Sequence, residues 1–214
     1  MMNWTALELK MQRHLKSRVR FSVMGDFLSV RDIDFFGPFS VSPNQRYILA
    51  WSDSDPESGR AGCRKRGHGT YILLEDARLI LYGRQIQRPN HGKVADNGTF
   101  IFNDWLFGLG AKGTFYAFDR QGNVIIKKKV SANLYNNGLS SDGWYAVAQT
   151  CHTEKSFGKL YFFDLREGQL LWAKEPETGW ADSYEFDVSS RVLYLVYRDG
   201  KKYAYGFNGK LLEG

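Results

Sequence analysis

Apolar and polar positions change their period once along this chain. Trp4, Leu7, Met11 and Leu15 recur at helical spacing, behind a Thr5-Ala6-Leu7-Glu8 capping box in which each side chain satisfies the other's free backbone N–H. Lys10, Arg13 and Lys16 fall largely on other faces, so residues 1–17 are predicted to form a basic amphipathic N-terminal helix. After Arg18 the pattern becomes short apolar strands broken by Gly, Asp and Asn turns, with no second helical stretch and no alternation of strand and helix. A doubly wound parallel sheet is thereby disfavoured.

The strands repeat. Four segments share a polar turn followed by an aromatic and an apolar run: Val41-Ser-Pro-Asn-Gln-Arg-Tyr-Ile-Leu-Ala, Val94-Ala-Asp-Asn-Gly-Thr-Phe-Ile-Phe-Asn, Leu139-Ser-Ser-Asp-Gly-Trp-Tyr-Ala-Val-Ala and Val188-Ser-Ser-Arg-Val-Leu-Tyr-Leu-Val-Tyr. A second element follows each: Gly69-Thr-Tyr-Ile-Leu-Leu-Glu-Asp, Gly113-Thr-Phe-Tyr-Ala-Phe-Asp-Arg, Gly158-Lys-Leu-Tyr-Phe-Phe-Asp-Leu and, more weakly, Gly200-Lys-Lys-Tyr-Ala-Tyr-Gly-Phe. A closing strand is then expected, as in Gly122-Asn-Val-Ile-Ile, Gly168-Gln-Leu-Leu-Trp and Gly209-Lys-Leu-Leu. About four strands in about 45–50 residues is the pattern of a propeller blade, which buries its two faces against its neighbours. Gly158-Lys-Leu-Tyr-Phe-Phe-Asp-Leu-Arg-Glu-Gly-Gln-Leu-Leu-Trp-Ala-Lys and Tyr116-Ala-Phe-Asp-Arg-Gln-Gly-Asn-Val resemble the repeat of the quinoprotein (PQQ-type) and related YVTN-type β-propellers.

That resemblance, over most of residues 38–214, implies a propeller fold and no particular activity. Quinoprotein enzymes are far longer, exported and richer in blades, so no quinone and no other cofactor is expected here. The expected fold is all-β: a small β-propeller of four, or four to five, four-stranded blades in residues 18–214, behind the N-terminal helix. Arg18–Val23 and Phe27–Ile33 read as a further hairpin resembling the last two strands of a blade. A compact four-blade body is favoured. An open arc would expose blade edges and invite self-association.

Composition changes this picture little. The 214 residues hold 29 Lys and Arg against 23 Asp and Glu, a net charge of +6, which suits acidic proteins or nucleic acid as partners and equally suits plain solubility. No apolar run is long enough to span a membrane and no signal peptide is visible, so a cytoplasmic location is expected. Two cysteines, Cys63 and Cys151, make no disulfide framework.

Candidate chemistry is sparse. The segment Arg60-Ala-Gly-Cys-Arg-Lys-Arg-Gly-His-Gly interrupts the first unit, and Arg60, Arg64, Lys65, Arg66 and His68 are the expected partner-binding residues. The acidic run Asp53, Asp55 and Glu57 stands ready to neutralise part of it. Lys127, Lys128 and Lys129 end a strand, where consecutive residues point to opposite faces, so edge protection is expected instead of one coherent patch. Cys151-His152 diverge on a strand and make a poor nucleophile and base; with Cys63 and His68 they lack zinc-ligand spacing. Asp182, Glu185 and Asp187 are candidate carboxylates for a metal or for acid–base chemistry, although no calcium loop is spelled out. Catalytic and metal-binding residues are therefore expected to be none. The favoured function is a non-enzymatic propeller that binds another protein, one of acidic surface suiting the charge, with an inhibitor or immunity-type protein as a specific form. The alternatives are a nucleic-acid-binding propeller using residues 60–68 and a metal-assisted hydrolase.

Overall fold

A computed structural model describes residues 4–55, 66–107, 111–151 and 158–212. The helix is present as α1 (Trp4–His14); the side chains of its first turns, including the Thr5–Glu8 box, are not among those described. Among the described residues, everything after it is strand and turn apart from a short 3-10 helix at Arg31–Ile33. The strands are β1 (Phe21–Met24), β2 (Phe27–Val30), β3 (Phe35–Val41), β4 (Tyr47–Ser52), β5 (Thr70–Glu75), β6 (Arg78–Gly83), β7 (Pro89–Val94), β8 (Phe100–Asp104), β9 (Gly113–Phe118), β10 (Val124–Val130), β11 (Leu134–Leu139), β12 (Tyr145–Thr150), β13 (Leu160–Asp164), β14 (Gln169–Lys174), β15 (Ser183–Asp187), β16 (Val192–Val196) and β17 (Lys202–Gly206). They form four antiparallel sheets, β1 to β6, β7 to β10, β11 to β14 and β15 to β17, each in sequential order. This is an all-β, propeller-like fold of four blades.

Period-two alternation on the central strands explains the stacking. Phe100 and Phe102 turn toward the first sheet and join Leu49, Trp51, Tyr71, Leu73, Tyr116 and Phe118. Ile101, between them, turns the other way and joins Phe115, Ala117, Leu134, Ala146 and Phe163. Phe162, next to Phe163, faces the fourth sheet with Tyr145, Leu193, Leu195, Tyr205 and Phe207. Strands β5, β8, β9 and β12 are buried along their whole length, because each lies at the middle of a sheet sandwiched on both sides. This is why they read as unbroken apolar runs.

The recurring turn has a common hydrogen-bond scheme. The Ser42 hydroxyl donates to Asn44 Oδ1 at 2.7 Å and accepts from the Tyr47 N–H at 2.9 Å. The Ser140 hydroxyl does the same with Asp142 Oδ1 at 2.6 Å and the Tyr145 N–H at 2.9 Å. Neighbouring turns are also tied sideways, since the Asn44 N–H donates to Asp96 Oδ1 at 2.8 Å and the Asp96 N–H to the Ser141 carbonyl at 2.8 Å.

Two expectations are corrected. First, the fourth unit has three strands: the expected closing strand at Gly209–Leu212 makes a single bridge, Tyr205 to Leu211. Second, the 18–33 hairpin is not part of a fifth blade. Strand β3 pairs with β2 over Phe35–Pro38 and with β4 over Phe39–Val41, so the hairpin continues the first sheet. The chain just before it returns to the opposite edge of that sheet. There the Val19 N–H donates to the Ala77 carbonyl at 2.9 Å and the Leu79 N–H to the Ser17 carbonyl at 3.0 Å. The first sheet is thus curled on itself around Leu28, Val30, Ile33, Ala50, Ile72, Leu74 and Leu79, with Met11 of α1 closing the bundle. Its outward face is consumed by its own chain. Among the described residues, broad packing runs from the first sheet to the second, third and fourth in turn, and none joins the fourth back to the first. Among the described residues the blades follow one another in a run whose first and last sheets share no broad contact.

A polar knot repeats between sheets. On the register pair Tyr47 and Glu75, the buried carboxylate accepts from the Tyr47 hydroxyl at 2.9 Å, pairs with Arg46 at 2.7 Å and reaches Arg120 on the second sheet. At the matching pair Tyr145 and Asp164, Arg166 takes the place of those arginines and bonds both partners. Burial works against the charge of Glu75 and Asp164, but the hydrogen bonds from Tyr47 and Arg120 to the first, and from Arg166 to the second, outweigh it and hold both carboxyls below their ordinary range. Carboxylates lowered in the folded state contribute stability that is present above the unfolded value, roughly pH 4, and lost as pH falls through the folded value. Thermal midpoints measured against pH should therefore hold steady near neutrality and fall below about pH 4. The double variant Glu75→Gln, Asp164→Asn should be less stable at neutral pH and show a flatter acid limb.

Candidate functional site

Because every strand is antiparallel to its neighbours, the connections divide between two ends of the sheets. The tight turns at 42–46, 76–77, 95–99, 119–123, 140–144, 165–168 and 188–191 share one end. The connections after β4, β6, β8, β10, β12 and β14 share the other, and these include all the long ones. Functional side chains concentrate where loops are long and mounted on a rigid frame.

Two tryptophans stand at this loop end. Trp105, directly after β8, is 39% exposed and makes an edge contact with the His91 ring at 5.5 Å. Beside it the Arg88 guanidinium lies 5.9 Å from the Phe107 ring centre. Trp180, between β14 and β15, is 40% exposed and leans on Tyr135 at 5.4 Å. Its indole also fills the space over Gly158, where a β-carbon would lie 1.8 Å from Nε1. The loop carrying Trp180 is fixed from below by a buried network. The Gln149 side-chain oxygen accepts from the Ala181 N–H at 3.1 Å, Asn136 donates to the Ala181 carbonyl at 2.6 Å, and the Tyr184 hydroxyl lies 2.7 Å from the side-chain oxygens of both Asn136 and Gln149. Trp180 is held in place while half its surface stays in water.

A cleft of about 540 Å³ opens at the same end, between the first and second sheets. His68, Gln85 and Gln87 line it from the first sheet's connections, and Lys112, Thr114, Tyr116, Lys127 and Lys129 from the second sheet. Register explains the lysines. Lys127 and Lys129 oppose Tyr116 and Thr114 and share their face, whereas Lys128 opposes Phe115 and turns to the third sheet, 5.5 Å from the Tyr161 ring centre. The three lysines thus form no single coherent patch, as the alternation predicts, and Lys127 and Lys129 share one face. Lys127 also sits 5.4 Å from the Tyr116 ring centre. Among the described residues, Lys112, Lys127 and Lys129 form no ion pair. Asp104, the one carboxylate on the wall, already accepts backbone N–H groups of Gln87, Arg88 and Leu106 at 3.2, 2.9 and 3.1 Å.

Of the residues expected to bind a partner, His68 lines the cleft and Arg66 is exposed nearby in the chain. Arg60, Arg64 and Lys65 lie outside the described residues, as do Glu57, Cys63 and His152. Among the described residues Asp53 pairs with Arg88 at 3.1 Å. Burial pushes the Cys151 thiol up, away from the thiolate a nucleophile requires. The three candidate carboxylates each have a local partner. Asp182 pairs with Arg198 at 2.9 Å, Glu185 with Lys202 at 2.7 Å, and Asp187 accepts from the Ser189 hydroxyl and Ser190 N–H, which draw its carboxyl down to about 2. Among the described residues no group of three or more His, Cys, Asp or Glu is placed to hold a metal ion, and no helix is long and apolar enough to cross a membrane.

Sequence reasoning missed Trp105, Trp180, Lys112 and the pairing of Lys127 with Lys129. Both tryptophans sit where a strand hands over to a long connection, which is the one signal that marked them. No protein-family model matches the chain, and no curated protein matches it. Among solved structures it is similar to the Cps50 (Swd1) β-propeller domain of Myceliophteria thermophila, at 14% identity and a TM-score of 0.49, covering 92% of this chain and 70% of that one.

Proposed function

We propose that this chain is a non-enzymatic binding module whose loop end docks a partner protein of acidic surface, with masking of that partner, as an inhibitor or immunity-type protein would do, as its specific form. The observation that carries the reading is that two partly exposed, structurally supported tryptophans and three lysines without an ion pair among the described residues share the loop end of the sheets. Tryptophan in a fixed rotamer gives large contact area at small entropic cost, and such residues dominate protein interfaces. The surrounding charge selects partners and accelerates encounter.

The test is affinity capture of a stoichiometric partner, followed by titration of that partner against variants. Trp105→Ala with Trp180→Ala should weaken binding by roughly 30-fold or more, as loss of a hot spot does. Recovery of no stoichiometric partner, or binding indifferent to both substitutions, overturns the reading. The lysines also favour nucleic acid as the ligand. A parallel titration against DNA and RNA decides this, because phosphate-backbone contacts make affinity fall steeply with salt.

A further inference from the structure

We infer that the cleft between the first and second sheets is a binding site for a phosphoryl group. It goes beyond the protein-docking reading and stands without it. Lys112, Lys127, Lys129 and His68 line one concave space from three separate segments, and among the described residues one carboxylate, Asp104, stands on its wall and accepts three backbone N–H groups. These side chains are exposed and gain from an anion that meets several of them at once. The cleft is within the size range of small-molecule sites. Several lysines lining one cleft suit a multivalent tetrahedral anion; planar carboxylates are matched better by the forked geometry of arginine. Gln85 adds a donor. Its side-chain oxygen is engaged by the Tyr71 hydroxyl, which leaves its amide N–H groups for the cleft. Lys127 is further positioned by the face of Tyr116, itself part of the packed core between the two sheets.

The phosphoryl group has two possible carriers, a free phosphorylated small molecule or a phosphorylated side chain of a protein. The experiment is an NMR or calorimetric titration of the full chain with inorganic phosphate and pyrophosphate, with acetate at equal ionic strength as reference. Saturable binding of pyrophosphate is expected, with acetate much weaker. Lys127→Gln with Lys129→Gln should reduce affinity about tenfold or more, the loss expected for charge-assisted contacts. Lys128→Gln, on the opposite face of the same strand, should leave it unchanged, which separates the site from general surface charge. Unchanged thermal midpoints confirm that the variants remain folded. Absence of saturable binding at tens of millimolar, equal response to acetate, or an equal effect of Lys128→Gln overturns the proposal. A phosphoserine peptide of otherwise neutral sequence assigns the carrier: binding tighter than pyrophosphate identifies a protein, and binding no tighter identifies a small molecule. Trp180→Ala should not alter phosphate binding, so failure of the protein-docking reading and failure of this one are read separately.

Discussion

Phe162→Ala should cost about 3–5 kcal/mol of folding stability, the range for truncating a fully buried aromatic. Phe162 is completely buried on β13. Its ring stacks on Trp172 at 5.2 Å within its own sheet and meets Phe207 at 4.9 Å from the fourth, with Tyr145 at 5.7 Å. Removing it leaves a void at the centre of the aromatic joint between two sheets, and a stiff antiparallel sheet collapses poorly into such a space. Urea denaturation with two probes checks this: the midpoint should drop sharply, and the fourth sheet should lose structure before the rest. A loss below about 1 kcal/mol would mean the joint is carried elsewhere.

The second large effect is expected at Gly37. A β-carbon built there lies 1.8 Å from the Trp51 carbonyl oxygen and 2.8 Å from its carbon, both backbone atoms of an adjacent buried strand. No rotamer change relieves that overlap. Gly37 also stands where β3 stops pairing with β2 and starts pairing with β4, so the close approach is what allows the first sheet to curl. Gly37→Ala should therefore destabilise by about 3 kcal/mol or more, at the upper end of overpacking effects. The hairpin should separate from the sheet and expose Leu28, Val30 and Ile33, visible as increased binding of a hydrophobic dye and faster proteolysis before Phe35. A variant as stable as the parent would show that the curl does not depend on this contact.

The parts of this fold legible in the sequence are those governed by local chemistry. Ser42-Pro-Asn44 and Ser140-Ser-Asp142 announce the same turn because one hydroxyl and one side-chain oxygen, two residues apart, are enough to close it. Phe100 to Phe102 and Phe115 to Phe118 announce central strands because they must bury both faces. What was not legible depends on which segments meet. Nothing near Ser17 or Val19 indicates pairing with Ala77 and Leu79, some sixty residues on, so the hairpin read as a partial blade. Lys127 and Lys129 come to line a cleft only when Gln85 and His68 are brought opposite them by the stacking of two sheets. The acidic triplet at 182–187 shows the converse: residues close in sequence are each claimed by a different neighbour, Arg198, Lys202 and the 189–190 turn.

The self-sealed first sheet gives the molecule a polarity. In a stack held by nearest-neighbour contacts, a terminal unit that satisfies its own outer face behaves as a stopper, and growth is possible only from the other side. Among the described residues the fourth sheet shows no such device: its outward face carries Glu185 and Lys202, bonded to each other beside Tyr194, over a modest apolar strip. Additional blades, whether gained by duplication or grafted by design, would have one docking platform to choose, and that platform is the carboxyl-terminal one.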